Sequence, residues 1–301
     1  MTNEMKKGRL INVTRLFNQS IVNRLGLDLP RAVVLPCMLS SGRDMVEDTS
    51  TLAVFIDFEN LALGFQGKKK TRFEIRRVLE RLVEKGKIVV KKAYADWSRF
   101  PEYTRSLHEQ GIELIEIPKR AHTGKNSADI RLCVDAMDLA WAKEHITSFV
   151  IVSGDSDFSP LVAKLKENGK HVIGLGMKPS TSDLLRDNCD EFIYYEDLER
   201  LRTTSIKLPE TGISPRQQEA FSILMEAVAA LIRENKEVLW SSMIKDTIRR
   251  KQPVFDESYY GHRTFSALLE DAQKHGLVEL RTDPRSGTYV VSGLGKNFRQ
   301  G

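Results

Sequence analysis

Apolar and polar residues alternate along the chain with a period that changes between neighbouring segments. From residue 51 onward, short apolar runs are separated by longer stretches with helical periodicity. The apolar runs predict strands at 52–57, 88–96, 112–117, 149–155, 171–176 and 192–195. The stretches between them predict helices near 71–86, 99–110, 127–144, 159–168 and 181–188. Strands that alternate with helices indicate βαβ units, and hence a parallel sheet covered on both faces.

The pattern changes after residue 200. Polar residues predict a linker, and three helical segments follow at 215–235, 241–251 and 259–275. Apolar runs at 277–280 and 288–291 then flank a turn, and three helices with a terminal hairpin predict a winged-helix domain. We therefore expect an α/β protein with three parts: a Rossmann-like, doubly wound parallel sheet at 51–200, a linker at 201–213, and a small winged-helix domain at 214–295.

Residues 1–50 belong to neither predicted domain. Their composition predicts a poorly ordered leader, with a transit peptide as the alternative and Met45 as an alternative start of the chain. The apolar run at 32–39 is broken by Pro36 and is too short to span a bilayer, so no membrane segment is predicted. The three cysteines have neither disulfide-framework nor zinc-site spacing. Together these features predict a cytoplasmic protein.

The net charge of +5 is distributed unevenly. Between residues 68 and 92 there are eleven Lys or Arg residues against three Glu residues. Such a local excess is typical of a surface that binds a polyanion. The alternative is an ordinary solvated helix face.

Acidic residues follow three predicted strands at the point where each strand ends. Asp57 closes the first strand, Asp96 the second, and Asp155 and Asp157 the fourth. In open parallel sheets, ligands bind outside the carboxyl ends of the strands. Asp129 lies in the first turn of the third helix, where a favourable interaction with the helix dipole is the alternative explanation. Carboxylates crowded at one edge repel one another without a cation, and hard oxygen ligands favour Mg²⁺ or Mn²⁺.

Local geometry separates stronger from weaker candidates at this edge. Asp157 is explained by capping of the helix that follows, whereas Asp155 has no expected capping role and is the stronger candidate for a metal ligand. Glu59 is expected to point away from Asp57, and it is not counted as a ligand. Asn60 is expected either to cap its loop or to orient a water or a phosphate.

Four segments carry a family resemblance: FIDFEN (55–60), YADW (94–97), SADI (127–130) and VSGDSDF (152–158). In this order and spacing they resemble the NYN domain family, a branch of the PIN-like nucleases. The resemblance implies a metal-dependent endoribonuclease that hydrolyses RNA phosphodiesters. Its catalytic residues would be Asp57, Asp96, Asp129, Asp155 and Asp157, and Asp57, Asp129 and Asp155 would hold Mg²⁺ or Mn²⁺.

The C-terminal part resembles the LOTUS, or OST-HTH, domain. The resemblance is carried by Trp240-Ser241, by Pro253-Val254-Phe255, by Phe265 with Leu268-Leu269, and by the closing hairpin. It implies binding of RNA, including structured guanine-rich RNA, or of a protein partner. Single-stranded RNA is the expected substrate, because an open strand can thread past a cleft at the sheet edge, whereas an A-form duplex resists close reading. A homo-oligomer is a further expectation.

The residues predicted to bind RNA are polar or basic side chains: Asn60, Lys68, Lys69, Lys70, Lys125, Lys245, Arg249, Arg250 and Lys251. The last four form a basic helix end suited to phosphates, although cations also favour the dipole at that end. Two competing functions stay open at this point. One is a non-catalytic RNA-binding or adaptor protein that keeps the nuclease fold, and the other is hydrolysis of DNA or nucleotides by the same site.

Overall fold

A computed structural model describes residues 50–65, 73–117, 127–201, 206–207, 213–296 and 299–300. The predicted leader and four predicted RNA-binding residues, Lys68, Lys69, Lys70 and Lys125, lie outside these ranges. Residues 48–301 form one compact unit, which holds both the predicted sheet domain and the predicted winged-helix domain.

The sheet has six parallel strands: β1 (Thr51–Asp57), β2 (Lys87–Ala95), β3 (Glu113–Glu116), β4 (Ser148–Val152), β5 (His171–Gly176) and β6 (Glu191–Tyr194). Their order across the sheet is β3-β2-β1-β4-β5-β6. This is the Rossmann order, in which the chain reverses direction across the sheet between β1 and β4. The sheet confirms the predicted α/β class, and it makes the carboxyl ends of β1 and β4 adjacent.

Seven helices of the described chain cover this sheet: α1 (Phe58–Phe65), α2 (Ile75–Lys85), α3 (Pro101–Glu109), α4 (Ser127–Ala142), α5 (Ser159–Glu167), α6 (Asp183–Asn188) and α7 (Tyr195–Leu201). Side chains of β1 alternate between the two faces of the sheet. Leu52, Val54 and Ile56 pack with α1, α2, α3 and α7, whereas Ala53 and Phe55 pack with α4, α5 and α6. Because both faces are covered, β1 is apolar along its length until Asp57.

The C-terminal part contains three helices, α8 (Pro215–Arg233), α9 (Ser241–Lys251) and α10 (Phe265–Lys274). A three-stranded antiparallel sheet of order β8-β10-β9 packs with them, from β8 (Leu239–Trp240), β9 (Val278–Thr282) and β10 (Tyr289–Leu294). Ser214 and Gln217 form a capping box that starts α8. Two short strands, β7 (Ile206–Lys207) and β11 (Arg299–Gln300), pair with each other.

Several predicted boundaries were wrong. Helices α1 and α7 were not predicted, and β7 lies inside the predicted linker. The third C-terminal helix begins at Phe265 rather than 259, because Gly261 has a positive φ of 87° and Thr264 caps the helix through the N–H of Ala267. In the described ranges, no helix is long and apolar enough to cross a membrane, and Cys133 and Cys189 are free thiols.

Candidate active site

Asp57 is the central residue of the predicted site. It ends β1 with only 5% of its surface exposed. The Ser153 hydroxyl donates to its Oδ2 at 2.9 Å, and the N–H of Asn60 donates to its Oδ1 at 3.3 Å. Burial raises the pKa of Asp57 to about 7; these two hydrogen bonds oppose the rise, and the charges of Asp129 and Asp155 add to it. The Asp57 carboxylate is therefore fixed in orientation but costly to ionise.

The loop after β4 is shaped to reach Asp57. Asn60 Oδ1 accepts the N–H of Gly154 at 3.0 Å, so α1 and this loop are tied together. A Cβ atom on Gly154 would lie 2.3 Å from the backbone oxygen of Ser180, which only glycine avoids. The N–H of Asp155 donates back to Ser153 Oγ at 3.2 Å. Asn60 thus has the loop-capping role that the sequence offered as one of its alternatives.

The capping roles in VSGDSDF differ from the prediction. Asp155 Oδ1 accepts the N–H of Asp157 at 3.0 Å and caps a short 3₁₀ turn, Ser156–Phe158. Asp157 is exposed and does not cap α5. The prediction that Asp155 has no capping role was therefore wrong. The sequence did not reveal the 3₁₀ turn between β4 and α5, and Asp155 caps that turn.

Asp129 lies in the first turn of α4 and is partly buried. Burial is the main cause that raises its pKa to about 6, and the charges of Asp155, Asp157 and Glu59 raise it further. The charges of Asp129 and Asp155 act on Asp57, and those of Asp155 and Asp157 act on Asp129, so each of these carboxylates lies within electrostatic range of Asp57 or Asp129. Segments far apart in the sequence therefore converge at the carboxyl edge of the sheet.

Glu59 belongs to this acidic group, although the sequence argument excluded it. Its Oε1 accepts the N–H of Asp96 at 3.3 Å, and its Oε2 pairs with Arg99 at 3.0 Å. The expected direction of Glu59 was wrong, because α1 begins at Phe58 and turns the side chain of Glu59 toward the edge. The Asp96 carboxylate accepts a hydrogen bond from the Ser98 hydroxyl. Asp96 is connected to the acidic group through its backbone N–H, which donates to Glu59.

The chemistry of this donor set fits a hard divalent cation, because it consists of carboxylate oxygens whose mutual repulsion a cation would relieve. Across the described ranges, no three His, Cys, Asp or Glu side chains form a group that can hold a metal ion as they stand. Mg²⁺ commonly keeps several waters and uses only one or two protein carboxylates. The carboxylates therefore fit an ion bound partly through water.

A second charge cluster joins the sheet domain to the C-terminal part. The Glu84 side chain, at the end of α2, is only 6% exposed. It is bound by Lys251 at 2.8 Å, by Arg233 at 2.7 Å and by Arg81 at 2.9 Å. Burial opposes the ionisation of Glu84, but the charges of Lys251 and Arg233 hold its pKa below the ordinary value. We call this cluster the Glu84 network.

The Glu84 network lies at the amino edge of the sheet. Lys85 follows Glu84 directly, and its amine bonds to Glu191, the first residue of β6, and to Glu234 of the C-terminal part, at 2.7 and 2.8 Å. The strand β2 starts two residues later. Since β1 has seven residues and a strand rises about 3.3 Å per residue, roughly 20 Å separates this network from Asp57.

The Glu84 network uses residues that the sequence assigned to RNA. Lys251 bonds to Glu84, and Arg250 donates to the backbone oxygen of Glu84 at 3.4 Å. Lys245 pairs with Glu257 at 2.8 Å, whereas Arg249 is exposed. In the described part of the basic segment 68–92, five further cations are paired with carboxylates: Arg76, Arg77, Arg81, Lys85 and Lys92. RNA binding by these residues stays a prediction, and three of the four already have protein partners.

Comparisons with known proteins support the resemblance of the sheet domain to the NYN family. The family model of the NYN domain matches residues 51–199, which confirms that part of the sequence-based prediction. An uncharacterized protein of Methanocaldococcus jannaschii is 29% identical over 142 residues, which cover 47% of this chain and 54% of that protein. The chain thus aligns with about half the length of that relative.

A crystal structure of a protein of unknown function from Vibrio parahaemolyticus is also similar. It has a TM-score of 0.45 and 23% identity, over 50% of this chain and 96% of that chain. The residues matched to the NYN domain end at 199, so the LOTUS resemblance of the C-terminal part stays a prediction.

Proposed function

Because residues 51–199 match the NYN domain, a PIN-like nuclease family, we propose that the protein is a metal-dependent endoribonuclease that hydrolyses RNA phosphodiesters. The observation that carries the proposal is the convergence of Asp57, Asp129, Asp155 and Asp157 at the carboxyl edge of a Rossmann-ordered sheet. Ligands of such sheets bind at that edge, next to the point where the strand order reverses. A structural ion-pair site would have a balancing cation for each acid, whereas here neighbouring carboxylates add to the raised pKa of Asp57 and of Asp129.

In this proposal Asp57, Asp129 and Asp155 hold Mg²⁺ or Mn²⁺, and Asp157, Asp96 and Glu59 support the ion through water. The chemistry that such an ion would supply is a water of lowered pKa and neutralisation of charge on the phosphate. Ser153 and Asn60 keep both Asp57 oxygens in a fixed orientation. Glu59 links Asp96 to the acidic group and is itself balanced by Arg99, an exposed cation at the same edge.

RNA binding, in this proposal, depends on basic side chains of both domains. Lys68, Lys69, Lys70 and Lys125 are kept as candidates on charge alone. Arg249 is kept because it is exposed, whereas Lys251 binds Glu84 and would have to exchange partners to reach a phosphate. We propose that the C-terminal part is a winged-helix domain of the LOTUS type, on the support of its three helices and antiparallel hairpin.

One assay tests the enzymatic proposal. Purified protein is incubated with labelled single-stranded RNA in Mn²⁺, in Mg²⁺ or in EDTA, beside Asp155→Asn and the control Asp187→Asn. Asp187 is an exposed acid on α6 that pairs only with its exposed neighbour Arg186 among the ion pairs described here. Cleavage should require the metal, survive Asp187→Asn and disappear in Asp155→Asn. Equal cleavage by Asp155→Asn would refute the assignment of the site.

The second candidate is a non-catalytic RNA-binding or adaptor protein. It is favoured by one observation: among the described residues, no group of three potential ligands is assembled to hold a metal ion. The same assay separates the two candidates, with binding measured in parallel by gel shift. RNA that is bound but left intact in every metal would support the adaptor. A parallel reaction with single-stranded DNA of the same sequence tests selectivity for the sugar.

A further inference from the structure

The outer face of α4 carries an apolar stripe that the proposed nuclease site does not use. Ile130, Val134 and Trp141 are 63%, 58% and 82% exposed. The opposite face of α4 packs on the sheet through Leu132, Ala136 and Ala140, which are buried. An exposed tryptophan in line with two exposed aliphatic residues is costly in water and marks an interaction surface. We call these residues, together with Met137, which is partly buried and also packs against the core, the α4 stripe.

The spacing of the α4 stripe is that of a helix–helix seam. Ile130, Val134, Met137 and Trp141 are separated by four, three and four residues, the a/d spacing of paired helices. At 100° per residue, all four lie within about 60° of one another around the helix axis. The stripe is also symmetric about its midpoint. A second α4 laid antiparallel therefore places Ile130 against Trp141 of the second copy, and Val134 against Met137.

Charges beside the α4 stripe are complementary in that arrangement. Arg131 and Asp138 lie on the same side of the stripe, two turns apart, and have opposite sign. An antiparallel pair brings Arg131 of each copy to Asp138 of the other, which gives two symmetric ion pairs. In antiparallel helix pairs such flanking charges set partner choice and orientation. Both residues are exposed, so they can exchange present contacts, such as that of Arg131 with Asp135, for the new ones.

The same surface is unsuited to RNA. Within α4 there are three aspartates, Asp129, Asp135 and Asp138, against one basic residue, Arg131. A polyanion would be repelled by this balance. Trp141 is the one aromatic side chain of the stripe, and Ile130 and Val134 have no aromatic face on which further bases could stack. The composition thus favours a protein surface of matching apolar spacing.

We propose that the α4 stripe docks a second copy of this chain, as an antiparallel pair of α4 helices about a two-fold axis. The paired surface is isologous, so it closes at a dimer. Because Asp129 directly precedes Ile130, the end of the second α4 lies beside the carboxylate edge of the first copy. The proposal depends on the α4 surface alone and stands whether or not the protein cleaves RNA.

The test is the mass of the full-length chain in solution, measured by sedimentation equilibrium over a concentration series. The wild type should approach twice 34.2 kDa as the concentration rises. Trp141→Glu should leave a monomer, since it buries a charge in the seam. Val254→Glu is the matched control, because Val254 is 93% exposed in the C-terminal part, and it should leave the dimer unchanged.

Charge exchange distinguishes this antiparallel pair from any other use of the stripe. Arg131→Asp and Asp138→Arg, each alone, should raise the dissociation constant of the dimer about tenfold or more, because like charges then meet twice. The double variant should restore wild-type affinity. Failure of the double variant to recover would overturn the antiparallel arrangement. A wild-type monomer at all soluble concentrations would overturn the proposal.

Discussion

Replacing Asp57 with asparagine should make the protein more stable at alkaline pH, although it removes the central residue of the proposed site. In the folded state the pKa of Asp57 is raised from an ordinary 3.8 to about 7, chiefly by burial. The unfolded chain therefore loses its proton at lower pH than the folded protein does. Stability is full below the ordinary pKa, falls as the pH rises toward 7, and stays low above it.

The size of the effect follows from that pKa. Each tenfold change in proton affinity corresponds to about 1.4 kcal/mol, so ionising Asp57 costs the folded protein roughly 4 kcal/mol at most. Asparagine avoids this cost but loses part of the pairing with Ser153 and with the N–H of Asn60, worth about 1 kcal/mol each. A net gain of about 2 kcal/mol in the free energy of unfolding is the expected outcome at pH 8.

Denaturant unfolding in EDTA measures this gain for the wild type, Asp57→Asn and Asp187→Asn at pH 4, 6 and 8. The advantage of Asp57→Asn should grow from pH 4 to pH 8, whereas Asp187→Asn, whose acid is exposed, should follow the wild type. If Asp57→Asn is less stable than the wild type at pH 8, Asp57 is not a strained buried acid. The acidic edge would then have no need of a cation to offset a buried charge.

Three further predictions follow from named contacts. Mn²⁺ or Mg²⁺ should raise the melting temperature of the wild type in differential scanning fluorimetry and should leave that of Asp57→Asn unchanged. At a hundredfold excess over the dissociation constant, the rise corresponds to about 2.7 kcal/mol. An equal shift in both proteins would mean that the ion binds away from Asp57. Gly154→Ala should lower the free energy of unfolding by about 1–3 kcal/mol, because its Cβ would lie 2.3 Å from the backbone oxygen of Ser180. An unchanged free energy of unfolding would show that the loop can move without cost. Glu84→Gln should cost about 1–3 kcal/mol, because it replaces a buried anion that is hydrogen-bonded to the partly exposed cations of Lys251, Arg233 and Arg81. Glu80→Gln, which removes one partner of an exposed pair on the same helix, should cost less than about 1 kcal/mol.

Much of the sheet was predictable from sequence because its strands are apolar runs bounded by polar turns. The carboxylates Asp57 and Asp155 could be assigned to one edge for the same reason, since both directly follow such runs. The helix α1 escaped prediction because it begins at Phe58, directly after β1, with no glycine or proline to mark its start. That single error also excluded Glu59, whose direction depends on whether residue 58 is strand or helix.

The partners of the basic residues could not be predicted from local pattern. A cluster such as Arg250 and Lys251 at a helix end has the same sequence appearance whether it meets a phosphate or a carboxylate. The structure shows that both residues contact Glu84, which is more than 160 residues away in the chain. Contacts of that sequence separation depend on how two domains pack, which hydrophobic periodicity does not encode.

The two edges of the sheet therefore have opposite electrostatic characters, and this makes a final prediction. At the amino edge Glu84 is surrounded by cations, and its lowered pKa means that its contribution to stability is lost only as the pH falls through that pKa. At the carboxyl edge Asp57 is surrounded by acids, and its ionisation destabilises the fold. Because roughly 20 Å separates them, the effects of Glu84→Gln and Asp57→Asn on the free energy of unfolding at pH 8 should add to within about 0.5 kcal/mol in the double variant. A larger coupling, measured by the same denaturant titration, would show that docking of the C-terminal part at one edge changes the carboxylates at the other.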